Sequence, residues 1–234
     1  MYDMARDQLS RDRVLLTALA VADDGGLDGL TIRTLAQRLG AKPMSLYHYV
    51  ANKDEILDGL VDLVFAEIEL PQPTGRWREE MAKRARSARE VLGRHPWSIA
   101  LLESRTSPGP ATLRHHDATI GALRAGGFSI AQTAHAYAVL DAFVYGFAVQ
   151  EASLPFKGPD GAAEVAGPIM ALMEAGDYPH LVEFAVQHAM QPGYDFGDEF
   201  GFGLDLVLDG VARMLEDRPS TDRKGSRHSA APST

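Results

Sequence analysis

The sequence predicts an all-α protein in which a small N-terminal domain of three helices precedes a larger helical domain. Apolar residues recur three and four positions apart through most of the chain, and no segment alternates apolar and polar residues as a half-buried strand would. Candidate helix-capping residues stand at the ends of these apolar stripes. With 234 residues, 45% of them hydrophobic, the chain is long enough to bury a sizeable core.

Two helices are predicted before residue 41. Apolar residues between 14 and 22 predict a first helix of about three turns, which ends in the Asp-Asp-Gly-Gly run at 23–26. A shorter stripe over residues 32 to 39 predicts a second helix. Thr31 is placed to cap the first turn of that helix, and Gly40 is placed to leave it in the left-handed conformation.

A third and a fourth helix follow after tight turns. The third is predicted over about Pro43 to Tyr49, because proline suits a first helical turn. Leu46 and Val50, four residues apart, are expected to face inward. Asn52 then offers a side-chain cap to a longer fourth helix, which the Leu-Pro-Gln-Pro run ends. The length of this helix makes it a natural connection between two domains.

The remainder of the chain predicts further helices and a polar tail. These helices are expected at roughly 75 to 93, just after Pro96, and at 108 to 125, 129 to 153, 161 to 175, 178 to 190 and 195 to 217. Ser129 and Gln132 form a capping box for the longest of them. We therefore expect an N-terminal domain over 1–57 whose connecting helix runs to about 70, a second domain over 71–217, and a disordered tail over 218–234.

Charge is distributed unevenly along the chain. The formal net charge is −9, which excludes a uniformly basic nucleic-acid-binding surface. Residues 1 to 53, however, carry seven Lys or Arg and six Asp or Glu, whereas residues 54 to 217 carry twelve and twenty-five. Only the near-neutral N-terminal part is therefore expected to approach phosphates. The absence of cysteine excludes disulfides, thiolate metal sites and a cysteine nucleophile.

The most apolar segment, residues 131 to 149, is about as long as a membrane span but contains His135 and Asp141. A central aspartate costs about 2.5 to 3.5 kcal/mol on insertion scales, and no Lys or Arg immediately flanks the segment. We interpret the segment as a helix buried against protein, and we expect no membrane partner. Asp141 then requires a partner, which is either a ligand group or a basic side chain.

A helix, a turn containing glycine and a short helix near the N-terminus form a helix-turn-helix arrangement. The major groove admits one α-helix, and the preceding helix holds that one against the phosphates. We expect Arg33 to form bidentate hydrogen bonds with guanine. We expect Thr31 and Lys53 to bind phosphate at helix N-termini. Candidates for the DNA side of the third helix are Lys42, Met44, Ser45, Tyr47, His48 and Tyr49.

Three segments of the N-terminal domain together resemble the DNA-binding domain of the tetracycline-repressor (TetR) family. They are Leu30 to Gly40 (LTIRTLAQRLG), Ser45 to Val50 (SLYHYV) and Asn52 to Leu57 (NKDEIL). Their combined spacing, within residues 11 to about 57, is far more specific than any one of them. More loosely, the second domain resembles that of the tetracycline repressors at Phe128–Ser129, Gly146, Phe202 to Leu206 and Gly210.

The resemblance implies a cytoplasmic, all-α homodimer that represses transcription by binding a palindromic DNA operator. Its second domain would bind a small-molecule effector that releases the DNA, and its last long helices would form the dimer. The family positions that touch DNA correspond here to Arg33, Pro43, Met44, Ser45, Tyr47, His48, Tyr49 and Lys53. The tetracycline-binding members use a histidine where this chain has Leu-Glu-Ser-Arg at 102–105, which argues against a magnesium–tetracycline effector.

Aromatic and polar residues of the second domain are candidates for the effector pocket, although a core of this size also needs such residues for packing. The candidates are His95, Trp97, Leu102, Tyr137, Asp141 and Phe147. Neighbouring His115 and His116 would point about 100° apart on a helix, so we predict a plain exposed helix there, with no metal site and no cofactor. The basic residues between Arg76 and Arg94 are interpreted as a solvated helix face.

Two other classes of function stay open at this stage. One is an all-α enzyme or small-molecule-binding protein without DNA binding, in which residues 1 to 57 form a lid. The sequence offers no nucleophile–base pair, phosphate loop or metal-ligand spacing to support an enzyme. The other is an interaction protein whose helices at 129–153 and 195–217 bundle with an unrelated partner. Salt-sensitive, palindrome-specific DNA binding is expected only of the repressor.

Overall fold

The structure is a computed structural model, and it describes residues 9–102, 104–156, 158, 161–173 and 176–216. This part of the chain is helical and contains no β-strand, as predicted. The predicted disordered tail, residues 218–234, lies outside the described residues.

The first helix, α1 (Arg11–Gly29), is longer than predicted. Its regular part is interrupted at Gly26, whose φ of 67° lies in the left-handed region that glycine tolerates. The predicted break at the glycine pair is therefore present, but the chain makes a further turn before it leaves the helix at Leu30.

The second helix, α2 (Ile32–Leu39), begins and ends as predicted. The Thr31 hydroxyl accepts a hydrogen bond from the Thr34 backbone N–H at 3.0 Å, which caps the first turn. Gly40 closes the helix with a φ of 65°. A side chain with a Cβ atom would be strained at that φ, so the glycine determines where α2 ends.

The third helix, α3 (Pro43–Leu46), is a single turn. It is shorter than the helix to Tyr49 that the sequence predicts. The backbone N–H groups of His48 and Tyr49 bond to carbonyls three residues earlier, and this tighter pattern ends the α-helix. Leu46 and Val50 are fully buried, as predicted.

The fourth helix, α4 (Lys53–Glu67), connects the two domains. Asn52 caps its first turn through a side-chain hydrogen bond of 2.8 Å. Ile56 and Leu60 pack in the N-terminal core, whereas Phe65 packs in the C-terminal core. One helix therefore belongs to both cores, and its orientation couples the two domains.

The C-terminal domain contains seven further α-helices among the described residues. They are α5 (Trp77–Arg94), α6 (Ile99–Leu102, after a 3-10 turn at Pro96–Ser98), α7 (Pro110–Ala125), α8 (Ile130–Ser153), α9 (Gly161–Met170), α10 (Pro179–Phe184, continued by a π-helical turn at Ala185–Ala189) and α11 (Glu199–Glu216, after a 3-10 turn at Phe196–Asp198). α7 begins later than predicted because Gly109 is extended and Pro110 takes the first helical position. The capping box of Ser129 and Gln132 at the start of α8 is confirmed.

The helix α8 lies at the centre of the C-terminal domain, where α5, α7 and α11 pack against it. Its 24 residues bury Leu140, Val144 and Phe147, as a helix packed against protein should. No helix in the described part of the chain is long and apolar enough to cross a membrane.

Candidate DNA-binding surface and effector cavity

The residues predicted to face DNA lie mostly on the surface of the N-terminal domain. Because α2 packs against α3, residues at the starts of both helices belong to one small unit. The exposed members are Thr31, Arg33, Lys42, Pro43, Met44, Tyr47, His48 and Lys53, and the half-buried members are Ser45 and Tyr49. We call this set the reading surface.

Three cations of the reading surface are without a neutralising carboxylate in the part of the chain that the structure describes. Arg33, Lys42 and Lys53 have no ion-pair partner among the described residues. By contrast, Arg38 of the same helix as Arg33 bonds to Asp24 at 2.7 Å. An arginine that lacks an internal carboxylate keeps its full attraction for phosphates and for the guanine edge. Arg33 is therefore better placed than Arg38 to read a base.

Two large side chains of the reading surface project into solvent. Met44 is 73% exposed and Tyr47 is 45% exposed. Exposed apolar side chains in a cluster mark interaction sites more often than isolated ones do. In a major groove the Met44 side chain suits a thymine methyl group, and the Tyr47 hydroxyl suits a phosphate oxygen.

Tyr49 is less exposed than most residues of the reading surface. It is half-buried and packs against the core of the N-terminal domain. The reason is the early end of α3, because the turn that follows bonds the Tyr49 N–H to the Leu46 carbonyl at 2.9 Å. The Tyr49 ring thus contributes to packing, and its contact with DNA stays a prediction.

Three aspartates spaced four residues apart on α4 hold the segment that leads into α7. Arg105 Nε donates to Asp58 Oδ1 at 2.5 Å, and Arg105 Nη2 donates to the carbonyl and carboxylate of Asp54 at 3.2 and 3.3 Å. Asp62 Oδ1 accepts from the backbone N–H and the hydroxyl of Thr112 at 2.8 and 3.0 Å. We call these bonds the α4–α7 contact. Through it, a carboxylate of α4 occupies the anion-attracting N-terminus of α7.

His95 and Trp97, which were predicted to line the effector pocket, lie between the two domains. His95 Nδ1 is 2.7 Å from Asp23 Oδ1, and its Nε2 is 3.2 Å from Glu67 Oε1. Trp97 Nε1 donates to the same Asp23 oxygen at 2.7 Å. Because Asp23 belongs to α1, these bonds attach the first helix of the N-terminal domain to the C-terminal domain.

Asp141 has a basic partner, which decides between the two alternatives that the sequence leaves open. Arg84 Nη2 donates to Asp141 Oδ1 at 2.6 Å, and Arg84 Nε donates to His115 Nε2 at 2.9 Å. Arg84 is only 2% exposed, so the interpretation of its helix as a solvated basic face is wrong at this residue. A buried ion pair offsets its desolvation cost only while both partners are present.

His115 is fully buried, so the prediction of a plain exposed helix is wrong at this position. Because Arg84 donates to Nε2, the ring is neutral and carries its proton on Nδ1, which has no hydrogen-bond partner among the described residues. Burial, followed by the charge of Arg84, lowers the pKa of His115 to about 3. Within the described part of the chain, no group of three or more side chains is placed to hold a metal ion.

The low pKa of His115 predicts acid sensitivity. Histidine in an unfolded chain has a pKa of 6.5, so below that pH the unfolded state takes up a proton that the buried ring refuses. Above about pH 6.5, His115 therefore adds no pH dependence to the free energy of unfolding. As the pH falls from there towards 3, His115 lowers the free energy of unfolding by about 1.4 kcal/mol per pH unit. Urea unfolding of the wild type and His115→Gln at pH 7.5, 5.5 and 4.5 measures it. Identical pH slopes for the two chains would contradict the assignment.

Two cavities adjoin at His116. The larger, about 490 Å³, lies between α7 and α8 and is lined by His116, Ile120, Ile130, Thr133, Ala134 and Tyr137. The smaller, about 180 Å³, lies at the α4–α7 contact, and its lining includes Asp58, Leu102, Arg105, Thr112 and His116. His116, which lines both cavities, bonds through Nδ1 to the hydroxyl of Tyr137, which lines the larger one. The larger cavity has the volume of a small-molecule site, which is about 300 to 1,000 Å³.

The structure does not bring the six residues predicted for the effector pocket to one place. Tyr137 lines the larger cavity, and Leu102 lines the smaller one. Asp141 is taken up by the buried ion pair. Phe147 stacks on Phe196 with ring centroids 4.8 Å apart, and Phe196 lines a third cavity of about 530 Å³. Only Tyr137 and Leu102 therefore border the two adjoining cavities.

Two family models match the chain. The model of "Bacterial regulatory proteins, tetR family" matches residues 14–60, and that of "Tetracyclin repressor-like, C-terminal domain" matches residues 70–215. The chain belongs to the tetracycline-repressor (TetR) family. The second match alone covers more than half of the sequence, so the TetR assignment includes the C-terminal domain as well as the reading surface.

Individual TetR-family proteins are similar to the chain over nearly all of its length. The transcriptional repressor DrrR1 of Streptomyces coeruleorubidus is 33% identical over 221 residues, which are 90% of this chain and 80% of DrrR1. The class A tetracycline repressor from Escherichia coli is 29% identical over 93% of this chain and 98% of its own. ActR of Streptomyces coelicolor, solved in complex with actinorhodin, has a TM-score of 0.72 and 30% identity over 90% of this chain and 100% of its own.

Sequence reasoning missed the residues that give the TetR-type C-terminal domain its polar interior. Arg84 falls on the helix face of Met81, Ala85 and Ala88, but arginine is rarely fully buried and its charge argued for an exposed position. The residues around Arg105 show no apolar pattern. One signal was available. Asp54, Asp58 and Asp62 recur every four residues on α4, and three carboxylates on one helix face indicate a shared basic or N–H donor partner.

Proposed function

We propose that this chain is a ligand-responsive repressor that binds a palindromic DNA operator as a homodimer and is released by a small molecule. The observation that supports DNA binding most directly is the reading surface, where Arg33, Lys42 and Lys53 are exposed and have no ion-pair partner within the described ranges. A second support comes from the relatives, since DrrR1 is a transcriptional repressor. We assign no catalytic activity to the chain.

The operator is proposed to have two half-sites about 34 to 36 Å apart, one for the α2–α3 unit of each protomer. α4 transmits the ligand signal, because it packs in both cores and carries the α4–α7 contact. An effector that binds one orientation of α4 better than the other changes operator affinity, and coupling of about 1 to 3 kcal/mol is typical. The larger cavity, beside this contact, is the proposed effector site. ActR, a relative of similar fold, has been solved with actinorhodin bound.

Arg33→Ala and Lys53→Ala test the roles proposed for the reading surface. Arg33→Ala should cost about 1 to 3 kcal/mol on the operator and relax specificity at one base pair, because the guanidinium reads a base edge. Lys53→Ala should weaken binding to all sequences alike, because the ammonium contacts a phosphate. Fluorescence anisotropy on the operator and on single-base variants of it measures both effects.

Arg38→Ala serves as the matched control for the first of these variants, because Arg38 lies on the same helix but is bonded to Asp24. It should leave base preference unchanged. An equal loss on every sequence for Arg33→Ala would overturn its assignment to a base. If the unsubstituted chain shows no sequence preference, the alternative function applies, a small-molecule-binding protein without DNA binding.

A further inference from the structure

The α4–α7 contact is a carboxylate-binding position that α4 itself fills. Arg105 is 17% exposed at its side chain and bonds to the carboxylates of Asp54 and Asp58. The first turn of α7 binds the Asp62 carboxylate through the Thr112 N–H and hydroxyl. An arginine beside a helix N-terminus is a strong site for an organic anion, and here aspartates occupy it.

This position opens into a chamber. The cavity of about 180 Å³ has Asp58, Arg105 and Thr112 in its wall, so a group that entered it would meet the Arg105 guanidinium directly. The chamber is too small for a whole ligand but large enough for an acidic head group. Its wall also includes His116, which borders the larger cavity as well.

The larger cavity offers an apolar site with one buried polar group. Ile120, Ile130 and Ala134 supply apolar wall. Thr133 is only 4% exposed, lines the same cavity, and its hydroxyl has no hydrogen-bond partner among the described residues. A buried hydroxyl left unpaired is costly, so a bound molecule that supplied a partner would remove that cost.

We propose that the effector is an amphipathic organic acid, whose apolar body occupies the larger cavity and whose carboxylate reaches past His116 to Arg105. This inference rests on the proposed function, because it names the chemical class of the effector and the residue that senses it. Arg105 is the residue that distinguishes an acid from a neutral molecule with the same apolar body.

The negative charge of the ligand couples effector binding to the orientation of α4. A carboxylate bound to Arg105 displaces Asp58 and stands close to both Asp54 and Asp58, which it repels. The acid therefore binds better to the orientation of α4 in which these aspartates have moved away from the segment before α7. Because α4 also packs in the N-terminal core, that orientation moves the reading surface.

Titration with a fluorescent acid and its neutral counterpart tests the proposal. The probes are 1-pyrenebutyrate and 1-pyrenebutanol, which share an apolar body and differ in the head group. We expect the full-length wild type to bind the acid about ten-fold or more tightly than the alcohol, because only the acid supplies a carboxylate that can replace Asp58 on the Arg105 guanidinium. Arg105→Gln should abolish this preference. Arg114→Gln, an exposed arginine of α7, should keep it. In the same samples the acid, and not the alcohol, should lower the affinity for labelled operator.

Each other outcome overturns the inference. Equal affinity of the wild type for acid and alcohol, a preference that survives in Arg105→Gln, a preference that Arg114→Gln also loses, or no saturable binding of the acid would each do so. Operator binding without ligand is measured first. If it is intact, a negative probe result contradicts only the assignment of the effector class. If it is absent, the proposed function itself fails.

Discussion

Replacing Asp141 with alanine is expected to lower the free energy of unfolding by about 3 to 5 kcal/mol. The substitution leaves the Arg84 guanidinium, which is 2% exposed, without the carboxylate that it bonds at 2.6 Å. His115 cannot replace that carboxylate, because its ring is neutral and already accepts from Arg84. Urea denaturation followed by circular dichroism at pH 7.5 measures the change.

Two companion variants separate the loss of the ion pair from a general effect of removing an acid. Asp117→Ala removes an exposed carboxylate from α7 and should change stability by less than about 0.5 kcal/mol. The double variant Arg84→Met with Asp141→Leu should recover most of the loss, because it removes both charges together. An Asp141→Ala chain as stable as the wild type would show that Arg84 is not held by this carboxylate.

Placing glutamates at both Phe202 and Leu206 is expected to convert the dimer into a monomer and to reduce operator affinity by about 100-fold or more. The two side chains are 68% and 58% exposed on α11, four residues apart on one helix face. α11 packs on α8, where Val139 and Val149 are also exposed. Apolar residues in such numbers are expected at the interface of a homodimer. A monomer presents one reading surface and loses the gain from binding two half-sites on one duplex.

Sedimentation equilibrium and fluorescence anisotropy on the operator measure the two effects. Leu113→Glu is the matched control. Leu113 is an apolar residue of similar exposure, 55%, but it lies on α7 and not on α8 or α11. It should leave both the dimer and DNA binding unchanged. A doubly substituted chain that remains dimeric would show that protomers associate through another surface.

The parts of the fold that could be predicted from the sequence are those determined within a few residues. Thr31 and Gly40 delimit α2 through local hydrogen bonding and a positive φ, and both effects can be read from neighbouring residues. Leu46 and Val50 were placed correctly because helical spacing alone brings them to one face. The family resemblance likewise rested on short segments with fixed spacing.

The polar interior of the C-terminal domain could not be predicted, because its partners are distant in the chain. Arg84 and Asp141 are 57 residues apart, and Arg105 and Asp58 are 47 apart. Sequence reasoning required a partner for Asp141 but could not choose between a ligand and a cation. His95 looked like a pocket residue for the same reason, since Asp23, its partner between the domains, lies 72 residues away.

Quantitative DNA binding by the unsubstituted chain decides whether it is an operator-binding repressor. A labelled palindromic duplex from the region upstream of its own gene is compared with a shuffled duplex across a series of NaCl concentrations. We expect the palindrome to bind more tightly than the shuffled duplex by a factor of about 10³ or more. Its affinity should fall steeply as salt rises, because phosphate contacts release counterions. Equal affinity for the two duplexes, or an affinity that does not change with salt, would show that this chain is not an operator-binding repressor.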